Sequence, residues 1–444
     1  LTICLVWMCF SLSAQKIIDL SGKWSFSIDR QDNGEKEKWF SHTLNDFINL
    51  PGSMPEKQKG DEVTAKTQWT GSLYDSSYYY NPYMEKYRKE GNIKFPFFLT
   101  PDKHYVGAAW YQKEVNIPAD WKGERILLFL ERPHIETTVW VNGQKTGMQN
   151  SLCVPHQYDI THYVRPGKCT ITIRVDNRIK EINVGPDSHS ITDQTQGNWN
   201  GIVGRICLQT TPKTYFDDIQ IYPEPEQKLA RVKVVIKGTG TAKVKLSAES
   251  FNTDKKHIVP AIQQEIKLNK GVTETEMVLP MGNDMLLWDE FHPALYKLKA
   301  EVTNGKKTEI KEIQFGMRRF EIKGKWFYVN GRKTQLRGTV ENCDFPLTGY
   351  APMDVESWER VFRICRSYGL NHMRFHSFCP PEAAFMAADR VGFYLQPEGP
   401  SWPNHGPKLG LGQPIDKYLM DETIALTKEY GNYACLLYTS DAAD

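Results

Sequence analysis

Long apolar runs, charge of one sign and closely spaced cysteines are all scarce in this chain, and each scarcity removes a class of function. After residue 14 no stretch approaches the roughly 20 apolar residues of a membrane-spanning helix, and the mean hydropathy of −0.51 excludes a polytopic membrane protein. Lys and Arg number 55 against 53 Asp and Glu, a net charge of +2. That near-balance leaves no electrostatic footprint for nucleic acid or an anionic membrane, so uncharged partners are expected. Of the nine cysteines, Cys4 and Cys9 fall in the apolar run at residues 1–14, and the other seven are irregularly spaced without a C-x-x-C pair. Neither a disulfide framework nor a zinc site is expected, and most of these thiols read as small buried hydrophobes. The run at 1–14, with Trp7 and Phe10 ahead of a small polar stretch, reads as a partial signal peptide. A secreted or periplasmic protein is therefore expected.

A chain of 444 residues is long enough for two or three cores. From residue 15 to 214 short alternating segments are broken by Gly, Pro, Asn and Asp. Segments 126–131, 137–141 and 170–175 read as strands, and Asn142-Gly143 supplies a tight hairpin turn, which together predict an all-β sandwich. Residues 215–315 carry a second set of strands at 231–237, 242–249, 273–278 and 295–303, with the length and turn spacing of an immunoglobulin-like sandwich. From 316 to 434 the period changes. A hairpin around Asn330-Gly331 is followed by helices predicted over 354–368, 381–391 and 415–430, alternating with strands at 371–375 and 393–396. Strand alternating with helix predicts a parallel sheet, with functional residues at the C-terminal ends of its strands.

Specific motifs follow this order. Ala109-Trp110-Tyr111 with Val115-Asn116-Ile117-Pro118, then Trp140-Val141-Asn142-Gly143-Gln144-Lys145-Thr146-Gly147, then Gly201-Ile202-Val203-Gly204-Arg205 occur in the first domain. Later come Gly316-Met317-Arg318-Arg319, Phe327-Tyr328-Val329-Asn330-Gly331, Leu336-Arg337-Gly338 and Gly369-Leu370-Asn371-His372-Met373-Arg374, with Pro380, Asp389 and Gly392 beyond. In order and spacing the set resembles glycoside hydrolase family 2 over nearly the whole chain. The resemblance implies a jelly-roll-like sugar-binding sandwich, an immunoglobulin-like sandwich and then the first part of a (β/α)8 TIM barrel. It also implies an exo-acting β-glycosidase that works with retention on the side chains of an oligo- or polysaccharide.

The chain departs from the family pattern in three places. His376-Ser377-Phe378-Cys379-Pro380 stands where many relatives have Ser-His-Tyr-Pro, and the nearest acid ahead of Gly201 is Asp193, which leaves the sugar open. Tyr430-Gly431-Asn432 agrees with the family and residues 435–444 do not, so that tail is expected to be foreign to the natural protein. On this reading the chain stops before the two catalytic Glu residues of the fourth and seventh barrel strands, and the fragment is expected to be inactive.

The expected site is therefore a sugar pocket alone, with no metal or cofactor, since His376 and Cys379 make only an isolated H-x-x-C pair. The resemblance implies that Arg374 holds the nucleophile ionised through a charge-assisted bond. Glu398, after the third strand, reads either as a ligand for a sugar hydroxyl or as a solvated loop acid. Trp402, beside Asn404 and His405, offers an aromatic face to sugar C–H groups or to neighbouring side chains. Glu341, Asn342, Asp344 and His376 are candidates for the pocket rim. The aromatic segment from Tyr78 to Phe98 reads as a long insertion, either a loop with a small core of its own or a lip over the pocket. Two other classes compete with the enzyme: a non-catalytic carbohydrate-binding protein and an adhesion scaffold. An Asn-Glu pair after a fourth strand separates the enzyme from both.

Overall fold

The computed structural model describes residues 15–72 and 77–437. The expected leader at 1–14 and most of the expected foreign tail, 438–444, lie outside the described residues. The chain divides into two compact units, one built mainly from residues 209–334 and one from 18–122, 126–208 and the residues after 334.

In the larger unit a five-stranded sheet runs in the order Ile17–Asp19, Gly201–Thr211, Arg125–His134, His156–Asp159, with Gly52–Ser53 paired onto Gly201–Thr211. A six-stranded antiparallel sheet runs Gln144–Gln149, Glu136–Val141, Gly167–Asp176, Ala108–Ile117, Gly22–Asp29, Asp46–Leu50. Leu128 and Leu130 of the first sheet share one core with Val139, Val141, Ile171, Ile173 and Val175 of the second, so alternate residues of the two sheets face each other as a sandwich. The far side of the six-stranded sheet is also covered. Trp110 and Trp140 pack there against Leu44, Trp39 and Phe40, with Phe40 stacked on Trp140 at 5.1 Å. Burial on both faces places Trp110 and Trp140 on the side opposite the sandwich core. Asn142 and Gly143 both have positive φ, 51° and 79°, the turn that Asn-Gly favours in a tight hairpin.

In the smaller unit the strands predicted at 231–237 and 242–249 are one continuous strand, Leu229–Phe251, paired along its length with Ile258–Pro280. The glycines that read as a break are a bulge, where the register shifts between Gly238 and Gly240. Val232, Val234 and Ile236 before the bulge share a core with Val244, Leu246 and Ala248 after it, so the bent strand contributes to both layers of a second sandwich.

The C-terminal part of the larger unit is a three-stranded parallel sheet of β1 (Gly338–Glu341), β2 (His372–Phe375) and β3 (Tyr394–Pro397), in register Val340–Arg374–Gln396. Helices α1 (Val355–Ser367) and α2 (Glu382–Val391) connect these strands, and α3 (Pro414–Tyr430) follows. Asp354 caps α1 by accepting from Ser357 N at 2.8 Å. The helix ends where Gly369 takes φ of 80°, its N–H bonding Arg366 O while Leu370 N bonds Cys365 O, a Schellman motif. The four buried alanines of α2, Ala383, Ala384, Ala387 and Ala388, let the helix backbone lie close to its neighbours. Beyond α3, Cys435 O accepts from Leu395 N and Leu437 N donates to Leu395 O, a parallel bridge alongside β3. Three parallel strands are what the described residues show of the expected barrel, since the bridge is made by residues 435–437 of the expected foreign tail.

Candidate active site

Parallel strands present the side chains at their C-terminal ends to one edge of the sheet. Arg374 lies near the end of β2, and its Nε donates to Glu398 Oε1 just past β3. The other oxygen of Glu398 accepts from Ser377 N at 2.7 Å, so Glu398 is committed to holding the β2 loop and the guanidinium. The ion pair stays partly open, with Arg374 40% and Glu398 26% exposed.

Around it stand three rings. Trp402 lies 4.8 Å from His376, which lies 4.5 Å from His189, and His189 stacks on Trp402 at 5.4 Å with only 9° between the planes. Burial, and then the neighbouring His376 ring, push the His189 imidazole down to about 4. Burial and Arg374 lower His376 as well. Neutral rings beside a guanidinium make a wall suited to an oxygen-rich ring with an apolar face.

His189 comes from the sandwich, in a buried polar loop that sequence reasoning did not single out. His189 N donates to Ser377 Oγ at 2.8 Å, and Ser190 Oγ donates to Ser377 O at 2.7 Å. Ser188 Oγ donates to Pro400 O at 2.6 Å, and Trp402 N to Val184 O at 3.0 Å. Ser377 sits at φ of 52° with no exposed surface, a left-handed conformation held by these bonds. Asp187, fully buried, receives Ser72 N at 2.7 Å and lies 3.1 Å from His405 Nδ1 and 3.3 Å from Asn404 Nδ2. Burial alone would raise its carboxyl, but the hydrogen bonds from Ser72 and His405 hold it below the usual carboxylate range. No single residue in this loop signals its role in sequence, because a run of Asp, Ser, His and Thr reads as an ordinary surface loop.

Of the sequence candidates, Arg374, His376, Glu398 and Trp402 converge. Asn404 and His405 instead tether the Trp402 loop to Asp187. Glu341 ends β1 and holds the β2 loop through its backbone, accepting from His376 N at 3.0 Å. Its carboxyl turns into its own loop, where Oε1 accepts from Asp344 N at 3.2 Å, and burial raises the pKa of both acids. Asn342 lies in that loop, and nothing among the described residues joins its side chain to the Arg374–Trp402 cluster.

A second set of bonds fixes the underside. The half-buried Arg132 donates to Leu152 O at 2.6 Å, Cys379 O at 3.3 Å and Pro380 O at 3.1 Å. On α3 the buried Glu422 accepts from Leu152 N at 2.9 Å and Cys153 N at 3.0 Å. Sandwich and parallel sheet thus meet through polar groups satisfied across the junction.

Comparison with known proteins agrees with this architecture. Residues 17–212 match the family described as "Glycosyl hydrolases family 2, sugar binding domain", and residues 214–318 match "Glycosyl hydrolases family 2". A beta-galactosidase of Thermoanaerobacter pseudethanolicus is 24% identical over 334 residues, 71% of this chain and 42% of that protein. The Homo sapiens beta-glucuronidase is 24% identical over 417 residues, 86% of this chain and 57% of that protein. The chain thus spans about half the length of these relatives. Among solved structures, a glycosyl hydrolase family 2 member from Bacteroides cellulosilyticus superposes with a TM-score of 0.69 at 20% identity, covering 95% of this chain and 52% of that one. A β-glucuronidase from Ruminococcus gnavus, solved with D-glucaro 1,5-lactone, gives 0.70 at 19% identity, covering 96% and 66%.

Proposed function

Since the chain belongs to glycoside hydrolase family 2, we propose that it forms the sugar-binding wall of an exo-acting β-glycosidase that releases sugars from glycan side chains with retention. The observation that carries this reading is Arg374, near the C-terminal end of a parallel strand, beside a wall of His376, His189 and Trp402. Trp402 would take the C–H face of the sugar, and the neutral imidazole of His376 would bond a hydroxyl. The Arg374 guanidinium would hold a neighbouring carboxylate ionised.

Retention needs two carboxyl groups about 5 to 5.5 Å apart, one to protonate the leaving oxygen and one to attack the anomeric carbon. Glu398, already held by Arg374 and Ser377 N, is suited to neither role. We place the pair on the fourth and seventh strands of a (β/α)8 barrel whose first three strands are β1 to β3, and we expect residues 1–444 alone to be inactive. Support for the barrel comes from the parallel register of β1, β2 and β3 and from apolar side chains exposed on α1 and α3.

The test is hydrolysis of nitrophenyl β-galactoside, β-mannoside, β-glucuronide and β-arabinoside by a protein extended through the downstream genomic sequence. The product is followed by NMR before it mutarotates. We expect turnover with the anomeric configuration kept, and Arg374→Ala should lower kcat by at least about a hundredfold. Inverted product, or no turnover of any of these glycosides, would sink the proposal. Binding of sugar without turnover would leave a carbohydrate-binding protein.

A further inference from the structure

The aromatic segment after Trp69 makes a small body of its own. Tyr78, Ile93, Phe95 and Phe98 are buried together, with Trp69, Met84 and Tyr87 packed against them. That core leaves other rings outside it. Tyr79, Tyr80, Tyr83 and Phe97 are 53%, 85%, 84% and 66% exposed. They are four of the nine well-exposed aromatic rings among the described residues, gathered in a short stretch, so scattered surface exposure does not account for them. Phe97 adds a second observation. It stands between buried Phe95 and Phe98 at φ of 66°, a left-handed conformation unfavourable for a bulky residue, with its ring turned to solvent.

Both ends of this body are anchored on the loop that carries His189. At its start, Thr70 N donates to Asp193 Oδ2 at 2.5 Å, Asp193 N returns a bond to Thr70 O at 2.6 Å, and Ser72 N donates to Asp187 Oδ1 at 2.7 Å. At its end, Leu99 N donates to Gln194 O at 3.1 Å. Asp187 in turn holds Asn404 and His405, two and three residues beyond Trp402. The segment that carries the exposed rings is therefore anchored at both ends to the loop that supplies His189.

We propose that Tyr79, Tyr80, Tyr83 and Phe97 form an outer subsite that stacks on the sugars of an oligosaccharide chain beyond the one held at Arg374. The inference rests on the sugar-site reading given above. Exposed tyrosines suit this ligand because each offers a rigid apolar face and a hydroxyl at little entropic cost. The arrangement would make the enzyme prefer terminal sugars that are still attached to a glycan.

The test uses affinity-gel retardation by soluble galactan, mannan, arabinan and glucuronoxylan. It is paired with calorimetric titration of galactose, mannose, arabinose and glucuronic acid. Tyr80→Ala with Tyr83→Ala should weaken retardation by the preferred polysaccharide about tenfold, while Tyr80→Phe with Tyr83→Phe keeps most of it and neither pair changes binding of the free sugar. Trp402→Ala should weaken both. Retardation of the alanine pair equal to wild type overturns the outer subsite, as does equal loss of free-sugar binding, which would mark a structural role. If the wild type binds neither polymer nor free sugar, the sugar-site reading itself fails and the subsite falls with it.

Discussion

Asp176 shows how a single buried charge can set acid sensitivity. It has no exposed surface, and its Oδ2 lies 3.0 Å from Arg174 Nη2, 2.6 Å from Arg178 Nη2 and 2.9 Å from Lys180 Nζ. Burial works to raise its pKa, but the hydrogen bonds from Arg178 and Lys180 outweigh burial and hold it well below 3.8. A carboxyl with a depressed folded pKa stabilises the fold above its unfolded value, and that contribution is lost as the pH falls toward the folded one. Asp176→Asn should therefore cost about 3 kcal/mol at neutral pH, and its Tm should fall less steeply than that of the wild type as the pH drops to about 3. Parallel Tm curves would refute the assignment. At this scale Arg374, His376 and Trp402 are legible in sequence, because strand–helix alternation marks the ends of parallel strands. His189 is not, since its partner Ser377 lies 188 residues away and the loop shows no periodicity.

Among the elements, the Trp402 loop depends on how closely two backbones approach. Gly185 has φ of 95°, and a Cβ there would stand 1.9 Å from Trp402 O. Gly185→Ala should displace the loop, lower stability by about 2 kcal/mol or more and weaken binding of the free sugar. Thermal melting and titration together check this, and an unchanged Tm would show that the loop yields without cost. The helices α1, α2 and α3 lie within a residue or so of their sequence expectations, because Asp354, Gly369, Gly392 and Pro414 mark their ends chemically. The long strand Leu229–Phe251 looks like two in sequence because glycines signal turns and bulges alike, and only the pairing partner distinguishes them.

Across the whole molecule, two β cores and one parallel sheet are legible from pattern alone, and what covers the parallel sheet is not. Ile364 on α1 and Tyr368 at its C-terminal cap are 49% and 81% exposed, and Met420 and Ile424 on α3 are 67% and 62% exposed. On the barrel reading, further helices cover these faces. Residues 1–444 should then bind the dye ANS, and Met420→Glu with Ile424→Glu, or the downstream sequence, should reduce its emission. Equal emission from all three proteins would count against it. The bonds from Val184, Ser188, His189 and Ser190 to Ser377, Pro400 and Trp402 carry one more consequence. Because the proposed sugar wall belongs to neither module by itself, recombination that exchanged the sandwich between relatives would bring together loops that had not diverged side by side. A substitution in either stretch is therefore a change to both halves of the wall.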